Sequence, residues 1–181
     1  GVTVAGITGN GLLIQNNVQS VSVRDNVFGN IEYDVIYRVG GTGTDDFTNN
    51  SIGLVANRTS QADATQSIRN GIVLQSPSNS IVQDNYIVGT GNKSTTAGAI
   101  RIVTGGNNIS IIGNILGEDA DGDSFDNVRK GIILNNTTVT NVTIGGNQAG
   151  EPNVIRNCTE EAIYVEGVTP TGITISQKSI G

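Results

Sequence analysis

One pattern limits this 181-residue chain more than any other: an apolar-x-apolar pair, two further residues, then Asn. It reads Val21-x-Val23-x-x-Asn26, Ile52-x-Leu54-x-x-Asn57, Ile109-x-Ile111-x-x-Asn114 and Val142-x-Ile144-x-x-Asn147, with Ser80 opening the copy that ends at Asn85. A sixth copy, Ile173-x-Ile175-x-x-Lys178, drops the Asn. The Asn-to-Asn steps are 31, 28, 29 and 33 residues. Repetition at such a period is the signature of a solenoid, in which each unit buries its apolar face only against its neighbours. Asn tolerates the left-handed backbone of a sharp turn, and its amide both donates and accepts. Repeated at one corner of successive rungs, Asn26, Asn57, Asn85, Asn114 and Asn147 are expected to hydrogen-bond along the axis as an internal ladder.

A second element precedes the first in each unit. Small or turn residues lead into a short apolar run: Leu12-Leu13-Ile14, Val35-Ile36-Tyr37, Ile72-Val73-Leu74, Ile100-Arg101-Ile102, Ile132-Ile133-Leu134 and Ile163-Tyr164-Val165. A third short run often follows the Asn, as in Val27-Phe28, Tyr86-Ile87 and Ile115-Leu116. No segment carries a helical period. The expected fold is therefore all-β: one domain over residues 1–181, with about six rungs of three short strands. The chain resembles the right-handed parallel β-helix proteins, the pectate-lyase-like solenoids that include many bacterial and archaeal surface proteins. Ile144-Gly145-Gly146-Asn147 followed by Asn153-Val154-Ile155-Arg156-Asn157 is similar to repeats of that surface class. Gly1-Val2-Thr3-Val4 resembles Gly172-Ile173-Thr174-Ile175, so both termini are expected in the same strand of the rung, without capping helices.

Composition narrows the function classes. The net charge of -6 and the lack of any Lys or Arg run argue against a nucleic-acid partner. Apolar runs are far too short to span a membrane. Without Met, the chain reads as processed or excised from something longer, and Cys158 has no partner for an intrachain disulfide.

The longest loops are expected over 40–50, 58–69, 91–97 and 118–130. The last contains Asp119, Asp121, Asp123 and Asp126 around Gly122, oxygen ligands at a density that suits Ca²⁺. Asp45-Asp46 is a second acidic pair. In pectate-lyase-like enzymes the chemistry sits on the outward face of the first sheet. The expected outward positions here are Leu13, Ile36, Val73, Arg101, Ile133 and Tyr164. Only Arg101 resembles a base, the chain has no His, and no catalytic set is assigned. The five non-basic members, Leu13, Ile36, Val73, Ile133 and Tyr164, form an apolar stripe that a loop of this chain or another subunit would cover. The next strand presents Thr3, Ser22, Gly53, Ile81, Ser110, Thr143 and Thr174, read as hydrated β-surface. Asn-x-Ser/Thr sequons place candidate glycosylation at Asn49, Asn92, Asn108, Asn135, Asn136, Asn141 and Asn157. The sequence thus points to an extracellular or cell-surface β-solenoid that self-associates end to end or laterally. The alternative is a carbohydrate-active β-helix or a glycan-binding adhesin module.

Overall fold

The computed structural model describes residues 1–62, 68–91, 94–125, 128–135, 138–167, 171–176 and 178–181. It is a parallel β-helix. Strand β1 (Thr3–Ile7) is followed by six rungs of three strands. The first rung is β2 (Leu12–Ile14), β3 (Ser22–Arg24) and β4 (Val27–Ile31). The second is β5 (Asp34–Val39), β6 (Asp45–Thr48) and β7 (Ser51–Ile52). The third is β8 (Asn70–Gln75), β9 (Ser78–Gln83) and β10 (Tyr86–Ile87), and the fourth is β11 (Ile100–Val103), β12 (Gly106–Ile112) and β13 (Ile115–Leu116). The fifth is β14 (Ile132–Asn135), β15 (Val139–Ile144) and β16 (Asn153–Ile155), and the sixth is β17 (Ile163–Glu166), β18 (Thr171–Ile175) and β19 (Lys178–Ile180). The first strands of the rungs form sheet B, the second sheet C, and the third, with β1, sheet A. Every ladder pairing is parallel and joins one rung to the next, as in β5 on β2 and β8 on β5. No helix occurs among the described residues, and none is long and apolar enough to cross a membrane.

Strand alternation turns one residue in two inward, and the parallel register stacks these into columns. One is Leu12–Ile36–Ile72–Ile100–Ile132–Ile163. Others are Val23–Phe47–Val82–Ile111–Ile144–Ile175 and Phe28–Ile52–Ile87–Leu116–Ile155–Ile180. The middle members are fully buried in one continuous core.

One inward column breaks the rule. Between Ile14 and Leu74 stands Arg38, fully buried, in register with both. Its Nε donates to Asp45 Oδ2 at 2.8 Å, and Asp45 itself replaces an apolar residue beside Ser80. Arg38 also donates to the carbonyls of Gln15, Val18 and Val39, while Asp45 Oδ1 accepts the Val21 amide. The pair thus holds the first-rung turn from inside the bore.

The ladder runs at the corner between sheets C and A through Asn26, Asn50, Asn85, Asn114 and Asn153. Each amide Nδ2 donates to the Oδ1 of the next at 2.9–3.1 Å, and that same Oδ1 accepts the backbone amide below. Asn57 and Asn147 are exposed and take no part; the Asn57 side chain accepts the Thr59 amide. The reason is an uneven rung length. In the second rung the C strand is β6, inside what the sequence suggested was a loop, so Asn50 follows it and Ile52 already belongs to sheet A. In the fifth, residues 145–152 are inserted before Asn153. The residue before the ladder Asn is left-handed in four rungs: Asp25 (φ 59), Asn49 (φ 59), Asp84 (φ 54) and Gly113 (φ 65). Asp and Asn hold this φ in the other three rungs, so what calls for glycine at Gly113 is space: a Cβ there would lie 2.5 Å from the Gly150 carbonyl oxygen.

Two further expectations change. Thr3 pairs with Val27 in sheet A, whereas Thr171–Ile175 lies in sheet C, so the two similar segments occupy different sheets. The outward column of sheet C is Ser22–Asp46–Ile81–Ser110–Thr143–Thr174, without Thr3 or Gly53.

Candidate ligand-binding face

The outward side of sheet B carries two columns. The first is Leu13–Tyr37–Val73–Arg101–Ile133–Tyr164, and the second ends in Val39–Gln75–Val103–Asn135–Glu166. Ile36 therefore belongs to the core, fully buried, and Tyr37 takes its place outside. The two consecutive apolar residues Val35 and Ile36 made either phase possible in the sequence; pairing with Leu12 and Ile72 decides it. Val73 and Ile133 point outward but are 4% and 1% exposed, so this chain covers them itself. Leu13 remains open at 47%. A continuous apolar stripe awaiting another subunit is thus absent among the described residues.

What the face offers instead is polar. Arg101 Nη2 donates to Asn135 Oδ1 at 3.1 Å, and Asn135 Nδ2 donates to Glu166 Oε2 at 2.9 Å. Arg101 is half-buried, its Nε is enclosed without a hydrogen-bond partner, and among the described residues no carboxylate pairs with it. Burial lowers its pKa from the ordinary arginine value. A cavity of about 230 Å³ opens beside it, lined by Thr95, Thr96, Lys130, Ile133, Asn135, Tyr164 and Glu166. Lys130 lies 4.9 Å from the centre of the Tyr164 ring and is ion-paired with Glu160 and Glu161. Arg69 stacks 4.9 Å from the Tyr33 ring and is ion-paired with Asp34. In a chain of net charge -6, Arg69, Arg101, Arg129 and Lys130 gather around one face with three of the four tyrosines. Of these cations, Arg101 is the one without an ion pair among the described residues, although Asp34 favours its charge from a distance. Glu166 was not singled out from sequence; its signal is strand alternation, two residues after Tyr164.

The acidic loop does not converge. Asp119 is buried at 2%, and its Oδ1 accepts the amides of Asp121 (3.0 Å) and Asp123 (2.8 Å). Asp121 and Asp123 are exposed, and Asp126 lies outside the described residues. Among the described residues no three metal-ligating side chains come together. Asp45 and Asp46 are likewise committed, to Arg38 and Arg24.

Among the sequons, Asn108 and Asn141 are exposed and belong to a second Asn column, in which Asn141 Nδ2 donates to Asn108 Oδ1 and Asn108 Nδ2 to Asn79 Oδ1. All three are left-handed. Asn49 donates to Asp25 and accepts from Arg58. Asn135 is held in the chain just described, and Asn157 Nδ2 donates to the Gly117 carbonyl. Asn92 and Asn136 lie outside the described residues. Cys158 is half-buried, and burial pushes its thiol up to about 11.

No protein-family model, no curated protein and no solved structure matches this chain.

Proposed function

We propose that this chain is an extracellular interaction module of the pectate-lyase-like β-helix kind, whose sheet-B face binds an anionic glycan. The observation that carries the reading is Arg101: a half-buried cation without an ion pair among the described residues, one hydrogen bond from a cleft walled by Tyr164 and rimmed by Thr95 and Thr96. A partly desolvated guanidinium favours a planar, charged acceptor. Tyr164 offers an apolar body with a polar tip, as sugar rings require. Arg101, Asn135, Tyr164 and Glu166 sit on paired strands, so binding orders little on that side of the cleft.

The test is calorimetric titration with polyuronates, sulfated glycans and neutral glucans. The expected outcome is millimolar or tighter binding of the anionic chains only, weakened by salt and reduced at least tenfold by Arg101→Gln. Equal binding by the variant, or none by the wild type, refutes the reading. Release of unsaturated products absorbing in the ultraviolet would make the chain a lyase instead.

Self-association is a second reading, favoured by where apolar surface remains. Val165, Ile175 and Ile180, 40–52% exposed, are the last members of three inward columns. Such an end face, with open strand edges, suits another parallel rung. Sedimentation velocity on the titrated samples separates the two: end-on assembly gives concentration-dependent species with or without glycan, and a single species at all concentrations removes it.

A further inference from the structure

We propose that Asp119 holds a weakly bound hard cation, with Ca²⁺ the best fit, inside the loop after β13. The loop is closed by an antiparallel bridge between Glu118 and Ser124 and by the Phe125 amide on the Gly117 carbonyl. Within it Asp119 is 2% exposed. One oxygen is engaged by two amides; the other, Oδ2, is buried without a hydrogen-bond partner. An ionised carboxylate with a bare oxygen is costly in so enclosed a place. Few groups relieve it: a cation, or a water that itself needs further partners. Two arginines adjoin the loop, and neither is directed to Asp119: Arg156 faces Glu118, 3.6 Å away, and Arg58, whose carbonyl accepts the Ala120 amide, donates to Ser51 and Asn49. Exposed Asp121 and Asp123 lie two and four residues on, adding negative potential around the loop mouth.

The ligand chemistry is oxygen only: the bare carboxylate oxygen of Asp119, with water completing the shell. That set suits Ca²⁺, which accepts irregular oxygen coordination, over Mg²⁺, which demands a near-ideal octahedron. With one committed carboxylate and not the several of a high-affinity loop, the dissociation constant falls in the millimolar range of extracellular modules. The proposal is independent of the glycan reading, because the loop and the sheet-B cleft share no residue.

The test is thermal unfolding of the whole chain in EDTA and in 10 mM CaCl₂, MgCl₂ or NaCl at matched ionic strength. At about ten times Kd, mass action raises Tm by about 3–6 °C for a domain of this size. That rise is expected with Ca²⁺, is smaller with Mg²⁺, and vanishes in Asp119→Asn, which keeps the Oδ1 acceptor for both amides and removes the charge. Calorimetric titration of the wild type with CaCl₂ gives the same answer should the variant fail to fold. Absence of both a Ca²⁺-dependent shift and binding heat leaves an ordered water on Oδ2 and overturns the proposal, as does an equal shift in Asp119→Asn.

Discussion

The buried Arg38–Asp45 pair can be separated into its parts because the next rung shows what this fold uses without it. Arg38 is in register with Leu74 and Asp45 with Ser80, so Arg38→Leu and Asp45→Ser install the residues that the third rung already accommodates. Asp45→Ser alone leaves a guanidinium at 0% exposure with carbonyl partners only, and removal of one member of such a pair costs about 3–5 kcal/mol. At the 2–4 °C per kcal/mol usual for domains of this length, that is a fall in Tm of roughly 6–20 °C. The double variant discharges the interior. It forfeits the Arg38 bonds to the Gln15, Val18 and Val39 carbonyls, about 1 kcal/mol each at most because that turn is near solvent. It also regains apolar packing against Ile14 and Leu74. The double variant is therefore expected to be more stable than Asp45→Ser by about 2 kcal/mol, and comparison with Arg38→Leu alone closes the double-mutant cycle and gives the coupling. Urea unfolding of the four proteins by circular dichroism provides the values. A double variant as unstable as Asp45→Ser, or worse, would refute the view that the cost lies in the unanswered charge.

Asn114→Ala removes two donors and a twice-used acceptor, leaving the Asn85 amide and the Val82 carbonyl without the ladder partner and Asn85 Nδ2 with the Phe47 carbonyl alone, while Asn153 Oδ1 keeps only the backbone amide of residue 114. A loss of about 4 kcal/mol or more is expected by chemical unfolding. Asn57→Ala and Asn147→Ala, both exposed, should stay within about 0.5 kcal/mol, and a comparable loss there would return them to the ladder. The Lys130 cluster should show in the pH dependence of Tm. Burial opposes the Lys130 charge, but hydrogen bonds to Glu160 and Glu161 outweigh it and raise its pKa, so its contribution is present below about 10.5 and lost as pH rises through the folded value. Glu160, bonded to Arg129 and Lys130, and Glu161, bonded to Lys130, sit below the ordinary 4.5. Their contribution is present above that pH and lost as pH falls through the folded values. The gap in Tm between wild type and Glu160→Gln/Glu161→Gln should thus be small at pH 7, both groups being solvent-facing, and close by pH 3; an unchanged gap at pH 3 contradicts the assignment.

By itself the sequence determined the architecture. A recurring short apolar run, a second run and a turn Asn can bury their apolar faces only by stacking, and that logic is local to each rung. It therefore placed Asn26, Asn85 and Asn114, each three residues after an inward apolar residue of its sheet-C strand, Val23, Val82 and Ile111. What it could not count was how many residues each corner spends. With Asn at 22 of 181 positions, a spaced decoy lay close to each irregular rung, and Asn57 and Asn147 stood in for Asn50 and Asn153. The pattern Asn-x-apolar, common to Asn50-Ser51-Ile52, Asn85-Tyr86-Ile87, Asn114-Ile115-Leu116 and Asn153-Val154-Ile155, was the available signal.

Strand phase was likewise undecidable at Val35-Ile36, where both neighbours are apolar, until parallel pairing put Ile36 over Leu12 and Tyr37 outside. The candidate face is a product of tertiary structure altogether. Arg101, Asn135 and Glu166 come from three successive rungs, 34 and 31 residues apart, and meet only because rungs stack at about 4.8 Å. Whether a carboxylate answers Arg101, and whether the four aspartates of the 118–126 loop converge, depends on side-chain direction across rungs, which the order of residues along the chain does not contain.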